Sequence, residues 1–234
     1  MKHIKKTISK QRSSAMIRQF PIAAIMVCAG FSASAAQAQE NPWYVTASVG
    51  LTTLGDQDLQ YRDGVTASTD AREYDASLNS GGTLGYQFSD QWRVEGELMY
   101  RRNEQANAVS LDGLGDFDDG DFASLSLAVS AIYDFDLFAS PDWRGYVGGG
   151  VAFIQEIDID LEQASEEISF ETSDIGIQLQ AGARHQINDR WFADAGVRYL
   201  MASDVEMEQP DDTSRLLTSD YSPLSFSVGI GFKF

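Results

Sequence analysis

An all-β protein, an eight-stranded antiparallel up-and-down barrel that crosses a membrane with its strands, is the fold class this sequence predicts. Three observations lead there. Phe226, Val228, Ile230, Phe232 and Phe234 alternate with Ser225, Ser227, Gly229, Gly231 and Lys233, so this strand has one apolar face and one small or polar face. Seven further segments alternate in the same way. The connections between them are short and long by turns, which is the pattern of a transmembrane β-barrel with short periplasmic turns and long extracellular loops. The chain opens on a basic stretch followed by a short apolar run, which directs it to export.

Taken in order, residues 1–20 carry Lys2, Lys5, Lys6, Lys10, Arg12 and Arg18 and no acid. Pro21 to Ala33 are mostly apolar or small, and Ala36-Gln37-Ala38 fits the small-x-small cleavage rule. Residues 1–38 are therefore expected to be a signal peptide and residues 39–234 the barrel domain. The apolar run is too short for a helical anchor. A lipoprotein signal would want a small residue before Cys28, where Val27 stands. Past the leader there is no cysteine, so neither disulfides nor thiol chemistry are available. Formal net charge is −18 and falls by six more once the leader's six bases are gone. Such a surface repels phosphate backbones and excludes nucleic-acid binding. No later stretch is long and apolar enough for a transmembrane helix.

Strands are expected at about 42–54, 73–88, 91–103, 121–135, 143–157, 173–187, 191–204 and 221–234. Tight turns at 89–91 and 188–190 and a short one at 136–142 alternate with long connections near 55–72, 104–120, 158–172 and 205–220. Alternation places Trp43, Val45, Val49, Leu51, Trp92, Val94, Leu98, Leu127, Val129, Val147, Val151, Ile175, Ile177 and Leu179 on the lipid side. Trp43, Tyr44, Phe88, Trp92, Phe135, Trp143, Trp191, Phe192 and Phe234 cluster where strands meet short turns. Amphipathic rings belong at headgroup level, so these read as a periplasmic girdle, with Tyr74, Tyr100, Phe122, Phe153, Tyr199 and Tyr221 opposite. A soluble lipocalin-type barrel would alternate too, with its apolar face inward. The girdles and the closing Phe234 weigh against it.

The inward parity then carries Arg93, Glu95, Glu97, Arg101, Asp134, Arg144, Arg184, Asp194, Arg198 and Lys233. Charges removed from water need partners, so a salt-bridged lumen network is expected. Gly81, Gly85, Gly148, Gly150, Gly176, Gly182, Gly196, Gly229 and Gly231 share that parity and make room for it. An interior that side chains just fill argues against a wide porin. The network reads either as a static polar core or as a gate in which Glu95 or Glu97 changes partner.

The long connections are strongly acidic. Asp116, Asp118, Asp119 and Asp121 are candidate ligands for a divalent cation, which prefers oxygen donors. Their spacing does not match a calcium loop, and a solvated, self-repelling surface is the plainer reading. For catalysis the chain is poor. Its one histidine past the leader, His185, lies on the lipid-facing parity beside a periplasmic turn, misplaced for a Ser–His pair. No cofactor and no enzymatic activity are expected.

The opening Trp43-Tyr44-Val45-Thr46-Ala47-Ser48-Val49-Gly50, the aromatic-flanked short turns and the closing Val228 to Phe234 resemble the eight-stranded outer-membrane β-barrel superfamily. That group includes opacity-type surface antigens and the barrel of outer membrane protein A. The resemblance implies a Gram-negative outer-membrane location and a monomer among outer-membrane lipid and lipopolysaccharide. It also implies insertion by the barrel-assembly machinery, with Phe232 and Phe234 as the C-terminal assembly signal. It implies a structural or surface-interaction role, with a narrow gated pore for ions or small solutes as the alternative and a lipid-modifying enzyme as the less favoured one. The Arg and Glu residues resemble the interior gate of outer membrane protein A. The sequence stops at the barrel, so tethering to peptidoglycan through a further domain like that protein's is not expected.

Overall fold

The computed structural model describes residues 42–55, 57–63, 66–104, 106–112, 115–117, 119–138, 140–163, 166–209 and 212–234. The expected signal peptide, 1–38, lies outside them. Among the described residues thirteen strands form: β1 Trp43–Thr53, β2 Gln57–Arg62, β3 Ala67–Arg72, β4 Ser77–Gln87, β5 Trp92–Glu104, β6 Val109–Leu111, β7 Gly115–Phe117, β8 Asp119–Asp136, β9 Trp143–Gln163, β10 Glu166–Gln186, β11 Trp191–Gln209, β12 Asp212–Tyr221 and β13 Leu224–Lys233.

Eight of them close a ring in the order β1, β4, β5, β8, β9, β10, β11, β13, with β13 pairing back to β1. Every pairing in the ring is antiparallel. Closure satisfies the backbone of every wall strand, the condition for standing in lipid. The outer face of the ring is apolar and exposed: Val228 is 61% exposed, Val49 59%, and Val129 and Ile177 57%. Side chains of the opposite parity are buried, Arg93 completely so. This is the inside-out pattern of a membrane barrel, not that of a soluble one.

The long connections are largely strand. A tilted strand needs only ~9–11 residues to span the hydrocarbon, whereas β9 and β10 have 21 each and β11 has 19. Their distal halves rise beyond the bilayer. There β12 pairs with β11, β2 with β12, and β3 with β2, completing a wall that the shorter β1, β4 and β13 do not reach. Pro223 separates β12 from β13. It has no N–H for the ladder, while its carbonyl accepts the Leu200 N–H at 3.2 Å. Near β3 lies the small β6–β7 hairpin, fastened by side chains: the Ser110 N–H donates to Asp70 Oδ2 at 2.7 Å and the Asp112 N–H to Ser68 Oγ at 3.0 Å.

One bulge governs what fills this extension. Ser126 pairs with Ile154 but Leu125 with Glu156, and Asp174 pairs with Ile154 but Thr172 with Ile157. Gln155 is thus the extra residue, and a bulge shifts side-chain parity by one. Below it Ala152 and Ile154 face inward; above it Ile157, Ile159 and Leu161 do, all with 0% exposure from Ala152 upward. They pack with Leu59, Tyr61, Leu111, Phe117, Phe122, Phe170, Leu200, Met207, Leu217 and Tyr221 into one apolar core.

Two groups of expected girdle residues belong to the interior instead. Tyr44 and Phe192 are buried and meet edge-to-face with centroids 5.7 Å apart. At the other end Phe122 and Tyr221 stack at 4.8 Å, with Tyr74 edge-on to Phe122 at 5.7 Å. Each has the inward parity, so proximity to a strand end misassigned it. The ring that does face lipid pairs Trp43 with Tyr86 and Trp92 with Tyr133, and Trp191 with Phe232.

Candidate functional site

The interior is layered. Nearest the short turns, charges from several strands converge. Arg93 on β5 forms an ion pair with its neighbour Glu95 and another, Nε to Oδ2 at 2.9 Å, with Asp134 on β8. Arg184 on β10 reaches Glu95 with Nη2 at 2.7 Å and Asp194 on β11 with Nε at 3.0 Å. The Tyr44 hydroxyl donates to Glu95 Oε1 at 2.5 Å and accepts from Arg93 Nη1 at 2.8 Å, and the Tyr146 hydroxyl donates to Asp194 at 3.2 Å. Aromatic faces cover the guanidinium groups: Arg93 lies 4.7 Å from the Tyr146 centroid, and Arg184 lies 4.5 Å from that of Tyr44 and 4.6 Å from that of Phe192. Such contacts gain in a desolvated site.

Glycines create the space. A Cβ on Gly85 would stand 2.0 Å from the Tyr44 ring, and one on Gly231 2.0 Å from the Phe192 ring. On Gly182 and Gly196 it would meet the Tyr146 hydroxyl at 2.4 and 2.3 Å.

One layer further in, Arg198 is in ion contact with Glu97, although its N–H does not point squarely at the oxygen. Gln178 Nε2 donates to Glu97 Oε1 at 3.1 Å. Above that, Arg101 meets hydroxyls: Nε donates to Ser225 Oγ at 3.0 Å and Nη1 to Ser126 Oγ at 2.7 Å. The Phe122–Tyr221 stack and the apolar core follow.

The charged residues named from sequence thus separate into three groups. Arg93, Glu95, Asp134, Arg184 and Asp194 form one connected cluster, and Glu97 and Arg198 form a pair. Arg101 has no carboxylate within ion-pair distance among the described residues. Arg144 stands at the rim, bonded to Asp136 at 3.0 Å and to the Asp90 carbonyl at 2.7 Å. Lys233 donates to Gln186 Oε1 at 2.7 Å. Both border a cavity of about 270 Å³ at the short-turn mouth, walled also by Asp134, Arg184 and Phe192. The contributions of Tyr44 and Phe192 escaped the sequence reading; inward parity opposite a glycine was the available signal.

The acidic cation candidates are described only in part. Asp118 lies outside the described residues. Asp121 is bound by Arg102 at 2.5 Å, and Asp116 accepts from Ser110 Oγ at 2.6 Å. Asp119 on β8 pairs through its backbone with Glu162. Among the described residues no three His, Cys, Asp or Glu side chains are placed to hold a metal ion. Outside the membrane, the Ser214 hydroxyl and amide hold the Asp212 carboxyl below the usual range. His185 stacks on Trp143, centroids 4.5 Å apart, in the lipid-facing girdle. Phe232 packs on Trp191 at 4.9 Å, and the Phe234 N–H donates to the Trp43 carbonyl at 2.9 Å, so the last residues tie the two ends of the ring together.

Solved structures share this fold. The outer membrane protein OprG from Pseudomonas aeruginosa is 18% identical with a TM-score of 0.59, over 85% of this chain and 99% of that one. The outer membrane protein AlkL is 18% identical with a TM-score of 0.52, over 86% and 94%. No curated protein matches the chain in sequence. The model of the outer membrane protein beta-barrel domain family matches residues 23–234. With its eight-stranded ring, apolar outer face and charged interior, this chain belongs to the outer membrane protein beta-barrel domain family and resides in the Gram-negative outer membrane.

Proposed function

We propose that this protein is a closed barrel with a structural or surface-interaction role, and that it is neither an open channel nor an enzyme. The observation that carries this reading is the filled interior: a cross-strand ion cluster below, and above it an apolar core whose members, from Ile154 to Leu217, are shut off from solvent. What the fold offers the outside is the strand extension. Outer-membrane lipid and lipopolysaccharide surround the monomer in this reading, and the barrel-assembly machinery inserts it through Phe232 and Phe234. Against catalysis stands His185, stacked in the girdle with no nucleophile bonded to it in the described structure. Liposomes carrying the protein are expected to exclude small sugars and ions at the rate of empty liposomes. Uptake well above that rate contradicts the reading.

A second reading, a narrow gated pore, draws on one observation. Arg101 lies on the same inward face of β5 as Glu97, so it is an alternative partner if Glu97 leaves Arg198. That exchange opens a path only if the apolar core above also moves.

A further inference from the structure

We propose that Arg101 marks an anion site inside the barrel, which takes one monovalent inorganic anion of halide size. The other interior arginines, Arg93, Arg184 and Arg198, each hold a carboxylate. Arg101 is as deeply buried, at 1% exposure, and among the described residues it has none. A guanidinium does not shed its proton in proteins, so it cannot escape the cost of burial by neutralising, as a lysine can. The hydroxyls of Ser225 and Ser126 spread its charge without cancelling it. Its Nη2 is buried and has no hydrogen-bond partner. Glu97 does not supply the missing charge, because Arg198 and Gln178 already hold it.

The surroundings fit an anion in their donors. Ser225 Oγ accepts from Arg101 Nε, and Thr52 Oγ1 accepts from Asn79 Nδ2 at 3.0 Å. The two hydroxyls share one proton across the 2.8 Å between them, which leaves the other proton of the pair uncommitted. The level therefore ends with surplus donors, one hydroxyl of the Thr52–Ser225 pair and Arg101 Nη2. Buried short side chains lie at this level, Thr52, Ser124, Ser126, Ser225 and Ser227, and the buried Tyr221 hydroxyl also faces the guanidinium.

The test uses bromide as the probe. Protein purified from outer membranes into halide-free detergent buffer is titrated with sodium bromide against sodium methanesulfonate at constant ionic strength. The unfolding temperature is expected to rise by several degrees and to saturate, and the Arg101→Gln variant to show no rise. Crystals of the unaltered protein grown in bromide are expected to give an anomalous peak beside Arg101 Nη2, a readout that does not depend on the variant folding. A flat titration with no peak at Arg101, or an equal rise in Arg101→Gln, overturns the proposal.

Discussion

At the residue scale, the interior charges are valuable because they are shut in. Glu95 is 4% exposed and is shared by Arg93, Arg184 and Tyr44. Breaking a buried pair leaves an uncompensated charge and costs ~3–5 kcal/mol. Glu95→Gln is therefore expected to lower the unfolding free energy of the purified barrel by an amount in that range, read as a lower urea midpoint. Arg144→Gln removes an exposed pair with Asp136 and is expected to cost under ~1 kcal/mol; equal losses in the two variants would show that the cluster does not hold the wall. Steric fit gives a parallel case. Gly85→Ala drives a methyl into the Tyr44 ring, and overpacking of this kind costs ~1–3 kcal/mol. Gly82 has only the Thr46 carbonyl within reach, at 3.6 Å, so Gly82→Ala is expected to leave the same midpoint nearly unchanged.

At the element scale, the eight wall strands were legible because alternation of period two extends through each of them, and the Ser89–Gln91 and Asn188–Arg190 turns are too short to be anything else. Three features escaped. The connections were read as loops because acids dominate them, yet β9 continues through Asp158 and Asp160 as strand. An acid-rich segment is compatible with a pleated sheet once isoleucines fill one face. Gln155 hides the change of parity; the only trace in the sequence is the three-residue step from Ile154 to Ile157 where two is expected. Tyr44 and Phe192 sit at strand ends like girdle residues, and only their parity tells them apart. Two deletions test the elements. Removing Gln155 and Glu156 together sets Ile157 directly after Ile154 and turns Ile157, Ile159 and Leu161 outward. The extension is then expected to become sensitive to protease added to intact cells, while the membrane-embedded wall stays protected; unchanged resistance would mean that side-chain parity does not set the core. Removing Phe234 cuts its bond to Trp43 and is expected to reduce outer-membrane levels far more than removal of the β6–β7 hairpin. Similar levels in the two strains would deny Phe234 its part in assembly.

For the whole molecule, family and location follow from the outer face, while the role follows from the inside. The charged residues were readable one by one as inward positions, but their partition was not. That Arg93 and Arg184 share Glu95 while Arg101 is left among serines depends on barrel shear, which brings residues distant in the chain to one level. The apolar core above them was equally hidden, because Ile154, Leu200 and Tyr221 come from three strands. Together these layers make the claim that the barrel is shut at rest. Single-channel recording in a planar bilayer tests this most directly, with protein purified from outer membranes beside a Glu95→Ala, Glu97→Ala variant. The account predicts a silent bilayer for the unaltered protein, with insertion shown independently by heat-modifiable migration on a gel. Discrete conductance steps in the unaltered protein, changed in frequency or size in the variant, would contradict it and make the ion cluster a gate.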